Sequence, residues 1–378
     1  MGDEKTQVMQ HQNYLSDDLI TQEILTRLPV KSIFRFKSVS KQWYSTLSSS
    51  DFAISHLKKS PFFHHTAPVH TLFIKAGMNY YLFSYDDHHN SNDFEDHLVK
   101  LDFEFGIGKK CLHFTSCCNG LICLTAPREE YFILWNPATR KLHKYESDGY
   151  FNDLKMLFDL SSARGLMLFD LSCARGFGYS SSVDDYKYVT IFFQLFTKHD
   201  TIVHVFSLRE NKWRKLDVDL NKILVNGQGV LLDEKLYWSG FDGQSNQVII
   251  SFDLGLEKFD IFQYPNSEDD KLGVVGECLC RFRFDRLDLL KPPTILKSIG
   301  LPQHVRLDIF SEVIGFKTTG KFFVTRHFTS EVQDGPKRML GLVDIGTEPV
   351  QCTMLLGATG PFNIAAYVPS LVLPFSFV

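Results

Sequence analysis

The stretch EILTRLPVKSIFRFKSVSKQWYSTL (Glu23 to Leu47) carries short apolar periods that predict small helices. The helical region spans residues 14 to 60, and the polar residues 16–18 open it with side chains suited to a helix N-terminus. Pro29 ends the first helix at Leu28, because the residue before a proline is displaced from the α region. So short a segment does not bury an adequate core by itself. We therefore expect its apolar side chains to pack on the rest of the chain or on another protein.

Beyond residue 70 the apolar period changes to two, which predicts β-strands separated by turns. Three segments superpose without gaps, namely FILWNPATRKLHKY (132–145), VHVFSLRENKWRKL (203–216) and IISFDLGLEKFDIF (249–262). Each is typical of a hairpin whose first strand ends in an aromatic residue, and a further strand precedes two of the copies. Four strands in one repeat is the pattern of a propeller blade, and the region has room for roughly six blades.

Composition restricts the class of protein. The chain has 378 residues, of which 44% are hydrophobic and 22% charged, and its formal net charge is −4. This balance is typical of a globular protein with a sizeable core and does not fit a basic nucleic-acid binder. The eight cysteines form no C-x-x-C pair, so we expect reduced core thiols and a location in the cytoplasm and/or nucleus. Three prolines in the apolar C-terminal tail disfavour a membrane span and favour a closing strand.

Residues 14–57, YLSDDLITQEILTRLPVKSIFRFKSVSKQWYSTLSSSDFAISHL, resemble an F-box, and ILTRLPVKSIFRFKSVSKQW is the most specific part. F-boxes usually begin with Leu-Pro, whereas this chain has Leu15-Ser16. Downstream, SCCNGLICL, LWNPATRKL, VHVFSLRENKWRKL, GQGVLLDEKLYW and YVPSLV resemble the plant F-box-associated domain, which is kelch-like in layout. The segment SKQWYSTLSSSDFAISHL is also similar to pollen S-locus F-box proteins.

The resemblance implies an α+β multidomain chain, in which a small N-terminal three-helix F-box precedes a large all-β, propeller-like domain. We assign residues 1–13 to a disordered leader, 14–60 to the F-box, 61–70 to a linker and 71–378 to the F-box-associated β domain. A near-exact tandem duplication, MLFDLSSARG (156–165) and MLFDLSCARG (167–176), interrupts this domain, and we expect the extra copy to form a surface loop.

The resemblance also implies a function without a catalytic residue or cofactor. The chain would be the substrate-recognition subunit of an SCF-type (Skp–cullin–F-box) ubiquitin ligase. Its F-box would bind a Skp-like adaptor and, through it, a cullin and a RING protein, while the β domain would recruit an unidentified protein substrate. By match to the motif, the adaptor-binding candidates, some of which also form the F-box core, are Leu15, Leu19, Ile24, Leu25, Leu28, Pro29, Val30, Ile33, Phe36, Val39 and Trp43.

Other functions leave weaker signals. GFKTTGKF (315–322) is one residue from a phosphate-binding P-loop, but Phe322 replaces the Ser or Thr that holds magnesium, so we predict a hairpin turn. The histidines of DDHHNSNDFEDH (86–97) lack regular metal-ligand spacing, so we predict a solvated loop and no metal. A non-degradative F-box scaffold or regulator, and a propeller enzyme or glycan or ligand binder with an F-box, remain alternatives. Neither a nucleic acid nor a membrane is expected as a partner.

Overall fold

A computed structural model describes most of the chain. The described residues are 15–59, 71–84, 98–102, 112–126, 130–147, 171–194, 201–218, 220, 223–225, 227–263, 271–283, 286–292, 294–301, 313–315, 321–328, 337–344, 351–359 and 362–375.

Helices make up the N-terminal unit. α1 (Asp17–Leu19) continues through a π turn (Ile20–Ile24) and a 3₁₀ turn (Leu25–Arg27), and is followed by α2 (Val30–Phe36), α3 (Lys41–Leu47) and α4 (Ser50–Lys59). The Ser16 hydroxyl caps α1 by accepting from the Leu19 N–H at 3.2 Å, as predicted. Leu28 is extended before Pro29, which confirms the predicted end of the first helix.

Two details of the helical unit differ from the sequence expectation. The first helix is not uniformly α, and the Thr26 hydroxyl donates to the Gln22 carbonyl at 2.6 Å inside its distorted part. Such side-chain bonds compete with the backbone ladder. Residues 50–59 form a ten-residue helix beyond the three that were expected, and the Ser49 hydroxyl caps it by accepting from the Phe52 N–H at 3.2 Å.

The remainder of the described chain is β-structure in five sheets. The first sheet contains β1 (Thr71–Ala76), β2 (Asn79–Ser84), β3 (Leu98–Lys100) and the last strand of the chain, β26 (Phe362–Ala366). The second contains β4 (His113–Cys118), β5 (Leu121–Thr125), β6 (Tyr131–Asn136) and β7 (Lys141–Glu146). The third contains β8 (Leu171–Ser180), β9 (Asp185–Gln194), β10 (Thr201–Ser207), β11 (Lys212–Leu216) and β13 (Gly227–Gln228).

The last two sheets complete the β region. The fourth contains β12 (Leu224–Val225), β14 (Val230–Leu232), β15 (Lys235–Phe241), β16 (Gln247–Asp253) and β17 (Phe259–Gln263). The fifth contains β18 (Lys271–Val275), β19 (Cys278–Arg283), β20 (Arg286–Lys291), β21 (Thr294–Gly300), β22 (Val313–Gly315), β23 (Lys321–Phe328), β24 (Lys337–Asp344) and β25 (Gln351–Thr359).

The sheets close into a propeller ring. β26 adjoins β4, β4 adjoins β8, β8 adjoins β15, β15 adjoins β18, and β22 returns to β26. The last strand also pairs antiparallel with β1, so the two ends of the β region share one sheet. The fifth sheet holds two four-stranded units, β18–β21 and β22–β25, joined by a parallel pairing of β18 with β22. Thus the described strands form five hydrogen-bonded sheets, against the roughly six four-stranded blades expected from the sequence.

The hairpin repeat seen in the sequence is confirmed. Its three copies are β6–β7, β10–β11 and β16–β17, and the aromatic ends pair in the same register in each, as Trp135 with Leu142, Phe206 with Trp213 and Phe252 with Phe259. The polar residue after each aromatic accepts hydrogen bonds from the turn backbone, and these residues are Asn136, Ser207 and Asp253. These side chains therefore fix the turn in each copy.

The apolar core lies between neighbouring sheets. Between the second and third sheets the Phe132 ring stacks on Tyr188, with ring centroids 4.4 Å apart, and on Tyr145 at 4.9 Å. Separate buried clusters join the first sheet to the second, the third to the fourth, and the fourth to the fifth. Apolar contacts therefore join each sheet to the next along the chain, from the first sheet to the fifth.

Several local predictions fall partly within the described residues. Residues 171–176 of the second duplicate lie in β8, where Ala174 is fully buried, so this part of the copy belongs to the third sheet; residues 156–170 lie outside the described residues. Gly315 pairs with Phe322 across β22 and β23, which confirms a hairpin in place of a P-loop, although its turn is not described. The histidine-containing loop (86–97) also lies outside the described residues. Six cysteines of the described strands are free thiols, namely Cys117, Cys118, Cys123, Cys173, Cys278 and Cys280.

Candidate functional site

The helical unit has a small core that includes a residue from the far end of the chain. Its buried members, which are at most 7% exposed, are Leu25, Val30, Ile33, Leu47, Phe52, Ala53 and Leu371. Leu371 follows β26, so the C-terminal segment completes a core that the helices do not complete alone. This meets the sequence expectation that so short a unit needs another partner for its core.

The structure divides the motif-matched residues into three groups. Leu25, Val30 and Ile33 are buried, and Leu28, Phe36 and Trp43 are half-buried against the same core. Leu15, Leu19, Ile24, Pro29 and Val39 are exposed. A substitution in either of the first two groups therefore mixes loss of stability with loss of binding, and only the exposed group offers a clean test of an interface.

Two further exposed side chains were missed by the sequence reasoning. Phe34 is 37% exposed and Tyr44 is 61% exposed, and each follows directly on a residue that packs in the helical core. Large apolar residues off the core spacing of a helix were the signal that was available. We call the following residues the exposed apolar set: Leu15, Leu19, Ile24, Pro29, Phe34, Val39 and Tyr44.

Exposed apolar side chains are concentrated in the helical unit. Of the thirteen large hydrophobic residues that are exposed among the described residues, six lie in the short span between residues 15 and 44. Single exposed apolar residues are normal on a protein surface, but a concentration of them marks an interaction site. The helical unit is therefore the leading candidate for a protein-binding surface.

Polar contacts hold the first helix against α4. The Lys59 ammonium lies 3.0 Å from the Glu23 carboxylate, which also pairs with Arg27 at 3.1 Å. These hydrogen bonds lower the pKa of Glu23. On the buried side, His56 Nε2 donates to the Leu28 carbonyl at 2.7 Å, and burial lowers the pKa of this imidazole. The neutral histidine thus satisfies a backbone carbonyl where the first helix ends.

The charge around the later part of the exposed apolar set, from Pro29 to Tyr44, has one sign, whereas Asp17, Asp18 and Glu23 lie beside its earlier part. Every charged residue between 24 and 50 is basic, and these residues are Arg27, Lys31, Arg35, Lys37 and Lys41. The Lys37 ammonium lies 5.1 Å from the centroid of the Phe34 ring, and burial lowers the pKa of Lys37. Acidic side chains at the rim of a partner's binding site would thus favour its binding to this surface.

The family follows from this arrangement and from comparison with known proteins. Residues 15–55 match the F-box domain, and residues 70–300 match the F-box associated beta propeller domain. The chain belongs to the F-box-associated β-propeller family. The resemblance stated from the sequence is thereby confirmed: the helical unit is an F-box, and the ring of sheets is its associated propeller.

Relatives with curated descriptions are similar over part of their length. The F-box/kelch-repeat protein At3g23880 of Arabidopsis thaliana is 28% identical over 246 residues, which are 63% of this chain and 62% of the relative. The F-box protein CPR1 of the same plant is 28% identical over 291 residues, 69% of this chain and 64% of the relative. The chain thus spans less than two thirds of these relatives.

Other kinds of site are poorly supported by the described residues. No three His, Cys, Asp or Glu side chains within them are grouped to hold a metal ion. None of the described helices has the length and apolar character needed to cross a bilayer. Burial raises the pKa of the Cys118 thiol to about 12, which makes it an inert core thiol at neutral pH. From the sequence, the polar loops 86–97, 147–153 and 266–271 are candidates for a substrate-binding surface, and of their residues only Ser147 and Lys271 are described.

Proposed function

We propose that this chain is the substrate-recognition subunit of an SCF-type ubiquitin ligase. Its F-box binds a Skp-like adaptor through the exposed apolar set, and the adaptor links it to a cullin and a RING protein. The propeller binds a protein substrate, which is then ubiquitinated and degraded by the proteasome. The observation that carries the proposal is the concentration of exposed apolar side chains on an F-box whose core is already completed by Leu371 of the same chain.

In this proposal the chain contributes proximity and no catalytic group. A bound substrate is held near a ubiquitin thioester carried by another subunit, so its lysines react at a high effective concentration. The chain has no resident cofactor in this role and works in the cytoplasm and/or nucleus. This accords with a surface that offers apolar and basic side chains for protein contact.

Strand direction supports a substrate site on the propeller face away from the F-box. Ala138, in the turn between β6 and β7, packs against the F-box core. β7 therefore runs away from the F-box, and the loop that begins at Ser147 starts on the opposite face. β17 occupies the equivalent place in its repeat, so the segment after Gln263 starts there too. Loops at one end of a rigid propeller are the usual place for a variable binding surface.

Co-purification with a Skp-like adaptor tests the proposal. We expect the wild-type chain to form a stable complex with adaptor and cullin on size-exclusion chromatography. Ile24→Asp places a charge in the middle of the exposed apolar set without touching the F-box core, and we expect it to abolish the complex. Leu256→Asp is the matched control, because Leu256 is 70% exposed in a propeller turn.

Failure of the wild-type chain to bind adaptor would overturn the proposal, as would an Ile24→Asp variant that binds as well as the control. Accumulation of a captured substrate when the proteasome is blocked tests the degradative part. A substrate whose level is unchanged by that block would favour a non-degradative scaffold.

A further inference from the structure

The C-terminal segment, residues Tyr367–Phe375, leaves the propeller and joins it to the F-box. It begins in the propeller, where the Tyr367 N–H donates to the Thr71 carbonyl at 2.9 Å and the Tyr367 ring is buried between the first and second sheets. Farther along, the Tyr145 hydroxyl donates to the Pro374 carbonyl at 2.5 Å. Both ends of the segment are thus fixed to the β domain.

The segment lies directly on the turn between β4 and β5. The Ser370 hydroxyl donates to the Asn119 carbonyl at 2.6 Å. The next residue, Gly120, has φ +76°, and a Cβ atom there would stand 2.6 to 2.9 Å from atoms of Ser370 and Val368. Glycine is required both by the backbone angle and by the closeness of the segment.

Asn136 holds the middle of the segment. Its side chain is fully buried, and its Nδ2 donates to the Ser370 carbonyl at 3.0 Å and to the Val372 carbonyl at 2.7 Å. Its Oδ1 accepts from the Ala138 N–H at 2.9 Å, in the turn that touches the F-box. Because both ends of the amide are used, the side chain has one orientation, and an isosteric carboxylate would face two carbonyl oxygens.

Two successive side chains of the segment enter different cores. Leu371 is 4% exposed within the F-box core, and Val372 is 1% exposed within the cluster between the second and third sheets. In extended chain, successive side chains point to opposite sides. The segment therefore ties the F-box and the propeller together through adjacent residues.

Direct contacts between the F-box and the propeller are also present. Leu57 of α4 is buried in the propeller cluster that contains Val372. Lys58 lies 4.0 Å from Asp184, but both side chains are about half exposed, and such pairs contribute little.

We propose that the C-terminal segment is a brace that fixes the orientation of the F-box on the propeller, with Asn136 as its positioning residue. The proposal rests on the proposed function, in which the adaptor site and the substrate site must keep a constant separation. Effective concentration at a reactive thioester depends on that geometry. The brace uses no catalytic group and leaves the exposed apolar set free.

Distance measurement between the two units tests the brace in the chain alone. Spin labels carried by a genetically encoded amino acid at Thr46 and Lys297, both exposed, leave the eight cysteines untouched. Pulsed electron paramagnetic resonance should give one narrow distance peak for the parent chain. Asn136→Asp should lose that peak and give a broad distribution. Asn246→Asp is the matched control, since the Asn246 side chain donates to the Asp242 carboxylate at 3.0 Å in an exposed turn of the fourth sheet, and it should keep the narrow peak.

A second variant keeps the test usable if Asn136→Asp does not fold. Leu371→Ala removes only the F-box contact of the segment, so the propeller should keep its near-ultraviolet circular dichroism while the distance peak broadens. A narrow, unshifted peak in a folded Asn136→Asp or Leu371→Ala variant would overturn the brace.

Adaptor affinity separates this inference from the proposed function. A folded Asn136→Asp variant should bind adaptor with an unchanged Kd, because the substitution lies in the propeller and the exposed apolar set is intact. If the parent chain shows the narrow peak but binds no adaptor, the proposed function fails while the brace stands.

Discussion

The contribution of three side chains to adaptor binding can be worked out from their exposed fractions. Leu15, Leu19 and Ile24 are 56%, 46% and 43% exposed, which together equals about one and a half fully exposed side chains. Covering one side chain of this kind is worth ~1.5–3 kcal/mol, so complete coverage of the three contributes ~2–4 kcal/mol. Truncating all three to alanine should weaken binding by about 2 kcal/mol or more, which is a Kd increase of about 30-fold or more.

Isothermal titration of adaptor into the Leu15→Ala/Leu19→Ala/Ile24→Ala variant measures this loss. Alanine is a good helix former, so the F-box should remain folded. The control is an equally apolar triple substitution on the propeller, at Met78, Val99 and Leu256, which are 52%, 60% and 70% exposed.

We expect the propeller control to bind adaptor like the parent chain. A Kd increase of less than about threefold in the F-box variant would refute the coverage of these side chains by the adaptor. An equal loss of adaptor affinity in both variants would show that exposed apolar area promotes binding wherever it lies on the chain.

Three further predictions concern stability. Ile33→Ala, at a site with no exposed surface, should lower the free energy of unfolding by about 2–4 kcal/mol in urea denaturation, and a loss below about 1 kcal/mol would contradict its place in the core. Burial lowers the pKa of His204 to about 4, so the unfolded chain takes up this proton first and stability falls as pH falls from about 6.5 to about 4. Between pH 7 and pH 4.5, the His204→Gln variant should lose up to about 3 kcal/mol less of its free energy of unfolding than the parent chain, as measured by urea denaturation. Parallel pH profiles of the two proteins would disprove the role of His204. The buried Lys187 ammonium lies 2.6 Å from the Glu257 carboxylate. Glu257→Gln leaves this ammonium without its counter-charge, so we expect the free energy of unfolding to fall by about 3 kcal/mol. The double change Lys187→Met/Glu257→Leu should lower it by less, because no buried charge is left unpaired. A single variant as stable as the parent would contradict this.

Local sequence patterns predicted much of the fold. The hairpin repeat could be predicted because its turns use side chains close in sequence, such as Asn136, which binds the Ala138 N–H. The end of the first helix at Leu28 followed from Pro29 in the same way. Apolar residues that recur every two positions identify the buried face of a strand, and those that recur every three to four positions identify the buried face of a helix. Such patterns can be read from a few neighbouring residues.

The division of the F-box side chains between core and surface was not available from spacing. Ile24 and Leu25 are neighbours, yet Leu25 is 3% exposed and Ile24 is 43% exposed. The helix passes from α through π to 3₁₀ geometry at this point, so the period that assigns faces changes within one turn.

The brace could not be predicted because it is nonlocal. Asn136 and Ser370 are 234 residues apart in the chain. The tail was expected only to supply a closing strand, and it does so in β26, but its last residues also complete the F-box core. Contacts of this kind depend on the closure of the whole ring, which no short pattern encodes.

Hydrogen–deuterium exchange of the chain with and without a Skp-like adaptor tests the central claim most directly. Exchange slows where a partner covers backbone amides or stabilises the elements that carry them. We predict new protection in residues 17–47 of the F-box and unchanged exchange in the five propeller sheets and in Tyr367–Phe375. Protection confined to the propeller, or no protection between residues 17 and 47, would contradict the claim that the exposed apolar set is left open for another subunit.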